Sequence, residues 1–233
     1  MNILECKKLT KAYKKNTPVL NELDLEIPAG RIVGLLGPNG CGKSTLIKLI
    51  SGLLQPNSGE ILVAGQPVGE HSKALVSYLP ERTYFDSKMK VQELVKFFGE
   101  FYEDFDSERA YALLKDLGID PKANLKTLSK GTKEKVQLIL VMSRNAKLYL
   151  LDEPIAGVDP AAREYILSTI VSNYNPDATI IITTHLITDV EQVLDDFVFL
   201  GFGGKVLKSG NAEEVRNETR KSLDELFKEV FKC

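Results

Sequence analysis

The stretch that decides the fold is Gly37-Pro38-Asn39-Gly40-Cys41-Gly42-Lys43-Ser44-Thr45. Residues 37–44 match the pattern G-x-x-x-x-G-K-[ST] in full and are called the phosphate loop from here on. Glycines let backbone N–H groups approach phosphate oxygens closely, and the helix that follows presents its free N–H groups to the same anion. We expect Lys43 to reach the β and γ phosphates of a nucleotide, and the Ser44 hydroxyl to bind Mg²⁺, which prefers oxygen ligands.

The sequence on either side gives the phosphate loop the setting that this chemistry needs. Residues 31–36 contain a short apolar run, typical of a strand buried on both faces. After the loop, apolar residues at 46, 47, 49 and 50 repeat with a helical period. Strand, glycine-rich loop and helix in this order predict an α/β fold that binds a nucleotide through residues 37–45. The alternative is a glycine-rich turn that carries a surface lysine.

The composition of the 233 residues is that of an ordinary globular protein, with 43% hydrophobic and 27% charged residues. It excludes disordered, collagen-like and coiled-coil classes. A net charge of −2 disfavours a nucleic-acid partner held by bulk charge, so we expect none. No apolar run approaches the roughly 20 residues that cross a bilayer, and no signal peptide is visible. Three cysteines without metal spacing, at positions 6, 41 and 233, are expected to be free thiols in a reducing cytoplasm.

Outside the phosphate loop, hydrophobic periodicity predicts further strands and a helical insertion. The segments typical of strands are residues 3–9, 19–27, 61–65, 74–79, 147–151 and 178–183, with a terminal hairpin of 197–200 and 205–209. From residue 91 to about 142 the period becomes helical, and Leu94, Val95, Phe98 and Phe101 are expected on one face. Helices are also predicted at 160–171, 186–194 and 222–231. We therefore expect a single domain over residues 1–233, with a helical subdomain at about 86–145.

Two carboxylates end a second apolar strand. Residues 148–151 lead directly into Asp152 and Glu153. We expect this strand to lie beside the phosphate-loop strand in a parallel sheet, so that both carboxylates reach the edge where ligands bind. Asp152 then suits the Mg²⁺ site, and Glu153 could polarise an attacking water. The alternative is a strand stopped by charge and by Pro154.

Further motifs carry a family resemblance that covers essentially the whole chain. Leu128-Ser129-Lys130-Gly131-Thr132 resembles the signature of ATP-binding cassette (ABC) proteins, usually written L-S-G-G-Q. Residues 156–159 resemble that family's D-loop, and residues 183–185 resemble its switch-histidine segment. Residues 78–81 occupy the place of its Q-loop, and Tyr13 lies where the family puts an aromatic ring against adenine. Together with the phosphate loop, these motifs fall in the family's order.

The resemblance implies a P-loop NTPase of the ABC ATPase type: a mixed-sheet core, an N-terminal antiparallel portion and a helical subdomain. It implies that the chain hydrolyses ATP with Mg²⁺, with Glu153, His185 and Lys43 as the catalytic residues. The same resemblance implies that Ser129, Lys130, Gly131 and Thr132 meet ATP bound to a second ABC subunit, identical or different. Nucleotide contacts are also implied for Tyr13, Glu81 and Asp159, and metal contacts for Ser44, Asp152 and Glu81.

The chain departs from the family pattern at three positions. Lys130 replaces a signature glycine, Thr132 replaces the glutamine, and Glu81 stands where glutamine is usual. Gly131, which permits close approach to phosphate, remains. Glu81 can still accept hydrogen bonds, but it adds negative charge beside ATP, so the departure bears on coupling more than on hydrolysis.

The resemblance implies a subunit that works at the cytoplasmic face of the membrane with a separate integral membrane permease. The ending at residues 222–227 looks like that of the exporter branch. The principal alternative is a soluble ABC ATPase without a membrane subunit. A non-hydrolysing regulatory subunit is disfavoured by Glu153 and His185, and a small-molecule kinase would need neither the signature nor the D-loop.

Overall fold

Two β-sheets pack on either side of one helix, α1 (Lys43–Ile50). The computed structural model describes residues 1–14, 17–156, 160–175 and 177–232, without the side chains of 160–162. The first sheet is antiparallel, with strand order β2-β1-β4-β5, and its strands are β1 (Asn2–Lys14), β2 (Thr17–Pro28), β4 (Ser58–Val63) and β5 (Gln66–Pro67). The second has order β10-β9-β3-β8-β7-β6, with β3 (Ile32–Leu36), β6 (Val76–Leu79), β7 (Leu148–Asp152), β8 (Thr179–Thr184), β9 (Asp196–Leu200) and β10 (Val206–Asn211).

The second sheet is mixed. Strands β3, β6, β7 and β8 pair in parallel and β9 runs parallel to β3, whereas β10 is antiparallel to β9. Parallel pairing places the carboxyl ends of β3, β8 and β7 at one edge, because Leu36 pairs with Thr184 and Thr183 pairs with Asp152. The phosphate loop and the segments that follow β8 and β7 therefore leave the sheet at the same edge.

Nine α-helices and two short 3-10 helices, Leu125–Thr127 and Phe202–Gly204, occupy the described ranges. The α-helices are α1 (Lys43–Ile50), α2 (Glu70–Leu75), α3 (Val91–Phe101), α4 (Ser107–Asp116), α5 (Lys130–Met142), α6 (Pro160–Asn173), α7 (Ile187–Val190), α8 (Ala212–Thr219) and α9 (Leu223–Phe231). None of the helices in these ranges is both long and apolar enough to cross a bilayer.

The hydrophobic core has two layers because strands of the mixed sheet are buried on both faces. Val33 and Leu35 of β3 pack with α1 and the antiparallel sheet, whereas Ile32 and Leu36 face the other cluster, which includes α9. A strand covered on both sides must be apolar throughout, which explains the continuous run of buried residues in β3.

Helices α3, α4 and α5 form a helical block with its own apolar cluster. Leu94, Val95 and Phe98 lie in that cluster. The prediction that Phe101 shares their face is wrong: Phe101 is 66% exposed and stacks on Phe97. The period of 3.6 residues places Tyr102, not Phe101, below Phe98.

Arg144 joins the helical block to the mixed sheet. Its side chain is 2% exposed, and its guanidinium donates to both carboxylate oxygens of Asp104, at 2.9 and 3.0 Å. It also donates to the backbone oxygens of Val76 and Ala74, at 2.6 and 2.7 Å, and lies 3.8 Å from the centre of the Tyr102 ring. The end of α5 is thus fixed to the start of β6.

The structure corrects several predictions of local structure. Strand β7 does not lie beside β3, because β8 runs between them. Residues 74 and 75 end helix α2 instead of opening a strand, and the helix predicted at 186–194 is confined to Ile187–Val190. Periodicity did not indicate α8, since its sequence is polar and only Ala212 is buried. The fold class, an α/β P-loop core with an antiparallel portion and a helical block, is confirmed.

Candidate nucleotide site

The phosphate loop closes tightly between β3 and α1, and its glycines are required by the backbone. Gly42 has φ of +111°, and a Cβ there would lie 2.7 Å from Cδ2 of Leu20. A Cβ at Gly37 would overlap the carbonyl oxygen of Leu200. Cys41 turns its side chain into the core, where burial raises the pKa of its thiol. Its backbone N–H donates to the Pro38 carbonyl at 3.3 Å.

Lys43 is held inside the phosphate loop. Its side chain is 6% exposed, and its ammonium donates to the carbonyl oxygens of Gly37 at 2.7 Å and of Pro38 at 3.3 Å. An ammonium group has three protons, so these contacts orient Lys43 with one donor to spare. Asn39 and Gly40 are exposed at the tip of the loop.

Ser44, Asp152 and Thr183 come together at the carboxyl edge of the mixed sheet. The Ser44 hydroxyl donates to Oδ1 of Asp152 at 3.0 Å, and the Thr183 hydroxyl donates to the same oxygen at 2.7 Å. Asp152 is 2% exposed. Although β8 separates the two strands, Asp152 therefore still reaches the first turn of α1.

Glu153 follows in an unusual backbone conformation. Its φ is +52°, a left-handed value rare outside glycine, and its N–H donates to both the carbonyl and the hydroxyl oxygen of Thr183, at 3.0 and 3.1 Å. Nδ1 of His185 lies 3.1 and 3.0 Å from the two carboxylate oxygens of Glu153. Because an ionised carboxylate only accepts hydrogen bonds, Nδ1 is the donor in this pair. His185 is 46% exposed, so its ring also faces outward.

Tyr13 and the residues before Glu81 border the same region. The Tyr13 hydroxyl lies 3.3 Å from Oγ1 of Thr45, and the ring is 59% exposed. The pKa of Tyr78 is raised, first by burial and then by the charge of Asp152, with smaller contributions from Tyr84 and Glu81. Tyr78 thus lies near both Asp152 and Glu81, and Glu81 itself is exposed.

The signature residues, at the start of α5, make their side-chain hydrogen bonds and ion pairs within that helix in the described ranges. Ser129 caps α5: its hydroxyl accepts from the Thr132 N–H at 3.1 Å and lies 2.8 Å from the Thr132 hydroxyl. Lys130 is exposed and pairs with Glu134 at 3.7 Å, and a Cβ on Gly131 would meet open space. Within the described ranges, the hydrogen bonds of Ser129 and Thr132 stay inside α5. Asp159 lies outside the described residues.

The donors at this edge fit a magnesium nucleotide. A hydroxyl and a carboxylate are hard oxygen ligands, and Mg²⁺ in such sites takes one or two protein ligands and completes its shell with phosphate and water. Gly40 has φ of +83°, and a Cβ there would meet nothing within 4 Å, so the tip of the loop leaves space for an anion.

Sequence reasoning missed Thr183 as a site residue. We expected β7 to lie directly beside β3, so no residue of a third strand was expected between Asp152 and the phosphate loop. The available signal was the pair of hydroxyl residues that ends an otherwise aliphatic strand directly before His185.

Comparison with known proteins identifies the family. The ABC transporter family model matches residues 20–156. The chain belongs to the ABC transporter ATP-binding proteins. It is 31% identical to the lipopolysaccharide export system ATP-binding protein LptB of Haemophilus influenzae, over 98% of this chain and 100% of that protein. A solved ATP-binding subunit of an ABC transporter superposes with a TM-score of 0.87 at 29% identity, covering 98% of this chain and 99% of that one.

Some relatives are longer than this chain. It is 31% identical to an uncharacterised ABC transporter ATP-binding protein of Synechocystis over 92% of its own length, but spans 64% of that relative. ABC transporter ATP-binding proteins are ATPases, so the family assigns ATP hydrolysis as the chemistry of the nucleotide site.

Proposed function

We propose that this protein is the ATP-hydrolysing subunit of an ABC exporter, and that ATP drives its dimerisation. The observation that carries the proposal is the convergence of Ser44, Asp152, Glu153 and His185 at one edge of the sheet. A phosphate loop alone would suit many nucleotide-binding proteins. A carboxylate that can accept a proton from water, paired with histidine beside the candidate Mg²⁺ ligands, is an arrangement suited to hydrolysis.

Each residue at this edge has a distinct task in the proposed reaction. Lys43 binds the β and γ phosphates, and Glu153 accepts a proton from the attacking water. His185, oriented by Glu153 through Nδ1, faces the γ-phosphate. Ser44 and Asp152 would hold Mg²⁺, with Glu81 nearby, and the metal would supply positive charge to the phosphates. Tyr13 packs against adenine.

The signature residues act on the second nucleotide of a dimer. Ser129, Lys130, Gly131 and Thr132 stand exposed or half-buried at the start of α5, where free N–H groups and the positive end of the helix dipole favour an anion. We infer that they bind the γ-phosphate held by the other subunit, with Asp159 near the junction. The partner subunit is a second copy of this chain or a related ABC ATPase.

An aromatic patch supports a membrane partner for the helical block. Phe97 and Phe101 are 51% and 66% exposed and stack on one another, and Tyr84 is 61% exposed three residues after Glu81. Because Phe97 and Phe101 stack, their exposed apolar surface is contiguous, and contiguous apolar surface is a feature of protein interfaces. We infer that a separate integral membrane permease docks here, which places the subunit at the cytoplasmic face of the membrane.

Export is the direction that the relatives favour. LptB, which this chain matches over its full length, carries export in its name. The alternative is a soluble ABC ATPase with no membrane subunit. The aromatic patch favours the exporter over this alternative, because a soluble ATPase would not need Phe97 and Phe101 exposed.

Co-expression with each polytopic membrane protein that a neighbouring gene encodes tests this proposal. Phe101→Glu should abolish co-purification from detergent extracts while leaving basal ATP hydrolysis intact. Phe202→Glu is the matched control, because Phe202 is 67% exposed at the β9–β10 turn. Equal co-purification of both variants would show that the permease does not dock at Phe101. A wild-type protein that does not hydrolyse ATP would contradict the proposed ATPase function itself.

A further inference from the structure

A single buried hydroxyl links the metal-ligand candidate to the catalytic carboxylate. Thr183 is 0% exposed on β8, between β3 and β7. Its hydroxyl donates to Oδ1 of Asp152 at 2.7 Å and accepts from the backbone N–H of Glu153 at 3.1 Å. The same atom therefore contacts two consecutive residues that are proposed to act on different parts of the nucleotide.

The hydrogen-bonding capacity of a hydroxyl makes this link directional. Thr183 has one proton, which is committed to the carboxylate of Asp152, so the lone pairs of the same oxygen receive the N–H of Glu153. Ser44 donates to Oδ1 of Asp152 as well. With two hydroxyls on Oδ1, the rotation of the Asp152 carboxylate is fixed from both sides.

The backbone of Glu153 needs this support. Its φ of +52° is sparsely populated for a residue with a side chain, and such a conformation persists only where the surroundings enforce it. The shared hydrogen bonds of its N–H, to the carbonyl and the hydroxyl of Thr183, hold the residue at the turn that aims its carboxylate at His185.

We infer that Thr183 is a positioning residue for ATP hydrolysis, whose hydroxyl orients Asp152 toward Mg²⁺ and fixes the backbone of Glu153 at the same time. This inference rests on the proposed ATPase function. It predicts that loss of one buried hydroxyl impairs metal binding and catalysis together.

Thr183→Val removes the hydroxyl and preserves the shape of the side chain, and Thr179→Val is its matched control. Thr179 lies on the same face of the same strand, is also 0% exposed, accepts from the Gly30 N–H at 3.0 Å and donates to the Pro28 carbonyl at 3.4 Å. The two substitutions therefore remove equivalent hydrogen bonds at opposite ends of β8. Thr183→Ser keeps both bonds and serves as the rescue variant.

The experiment measures the Mg²⁺ concentration that half-saturates two signals: the ATP-dependent rise in melting temperature, and ATP hydrolysis. Loss of an outer hydrogen-bond partner typically costs roughly 10- to 100-fold in metal affinity or activity, so Thr183→Val should shift the Mg²⁺ midpoint by about that factor. The melting shift given by ATP without metal should be unchanged. Thr183→Ser and Thr179→Val should behave like the wild type.

Two results would overturn the inference while the ATPase function stands. One is a Thr183→Val protein with wild-type Mg²⁺ midpoints and rate. The other is an equal change in Thr179→Val, which would show that only the stability of the strand matters. If Thr183→Val does not fold, a Thr183→Ser protein with the Mg²⁺ midpoint shifted away from that of the wild type would contradict it. A wild-type protein that neither binds nor hydrolyses Mg·ATP would overturn the proposed function, and the inference with it.

Discussion

The phosphate-loop edge and the start of α5 are both proposed to bind phosphate, but their structures differ. At the edge, Lys43, Asp152 and Thr183 are buried: Lys43 donates to carbonyl oxygens of the phosphate loop, and Thr183 donates to the Asp152 carboxylate. At the start of α5, Ser129 and Lys130 are exposed, and the cap of Ser129 is satisfied locally by Thr132. The phosphate-loop edge is preorganised by these contacts, whereas the start of α5 offers a helix N-terminus to solvent. The two regions are called the hydrolytic half and the signature half from here on.

This difference indicates how the two halves share the work. A buried, interlinked site fixes geometry for chemistry, since misplaced groups lose catalytic efficiency steeply. An exposed helix N-terminus contributes electrostatic attraction only when a phosphate is brought to it. We therefore propose that the chain supplies the catalytic residues of one nucleotide site and, through the start of α5, a phosphate-binding segment for the site of a second subunit.

The largest expected effect falls on the hydrolytic half. Glu153→Gln keeps size and hydrogen bonding, but an amide cannot accept a proton from water, so the rate of ATP hydrolysis should fall roughly 10²-fold or more. ATP binding should remain, because Lys43 and the phosphate loop are unchanged. Phosphate release and equilibrium ATP binding measure the two quantities, and Glu60→Gln on the exposed part of β4 is the control. A rate within a few-fold of the wild type would show that Glu153 is not the general base.

The second prediction concerns the connection between the halves. Arg144→Met should destabilise the protein by about 3 kcal/mol, because it leaves the Asp104 carboxylate and two backbone carbonyls without their donor. Urea denaturation measures the free energy of unfolding. Arg31→Met is the control, since Arg31 is 47% exposed and its 4.0 Å pair with Asp196 is worth at most about 1 kcal/mol. Equal losses in both variants would mean that Arg144 is not what fixes α5 to β6.

The third prediction isolates nucleotide binding within the hydrolytic half. ATP at about 100 times its dissociation constant should stabilise the wild type by about 2.7 kcal/mol. Lys43→Ala should lose most of that stabilisation, whereas Lys48→Ala, an exposed position on the same helix, should keep it. Differential scanning fluorimetry with Mg·ATP makes the comparison. If ATP raised the melting temperature of Lys43→Ala as much as that of the wild type, the phosphate loop would not be the nucleotide-binding segment.

The smallest effect on binding is expected at Glu81, where the two halves meet. The Gln137 side chain of α5 donates to the Pro80 carbonyl at 3.4 Å, and the Ser77 hydroxyl donates to the Val141 carbonyl at 2.9 Å. The signature helix and the segment before Glu81 are thus tied together. Glu81→Gln should leave ATP affinity within about tenfold, close to the 1.4 kcal/mol that a tenfold change represents, while changing hydrolysis when the permease is present. A loss of ATP binding as large as that of Lys43→Ala would make Glu81 a primary ligand.

The sequence predicted the parts of the site that depend on local pattern. The phosphate loop, the strand that ends in Asp152 and Glu153, and the family and fold class follow from spacing within short segments. Sheet order does not, because strand pairing depends on contacts between distant segments. The sequence gives no local sign that β8 lies between β3 and β7, so the role of Thr183 became visible only in the structure.

Exposure at the helical block was equally hard to predict. Phe101 fits an apolar helical pattern within one residue, and a shift of one position turns a side chain by about 100°. The apolar pattern could not distinguish a buried aromatic residue such as Phe98 from an exposed one such as Phe101. The roles assigned to Tyr13, Glu81 and the signature residues also remain predictions, because each depends on a ligand or on a second subunit.

The central claim is that the exposed start of α5 completes the nucleotide site of another subunit. Size-exclusion chromatography with light scattering on the Glu153→Gln protein tests it most directly, because blocked hydrolysis lets ATP persist between the phosphate loop of one subunit and Ser129 and Gly131 of the other. We expect a dimer with Mg·ATP, a monomer with ADP, and a monomer that still binds ATP when Ser129→Arg is added. A Glu153→Gln protein that stays monomeric with ATP bound would contradict the claim for two copies of this chain.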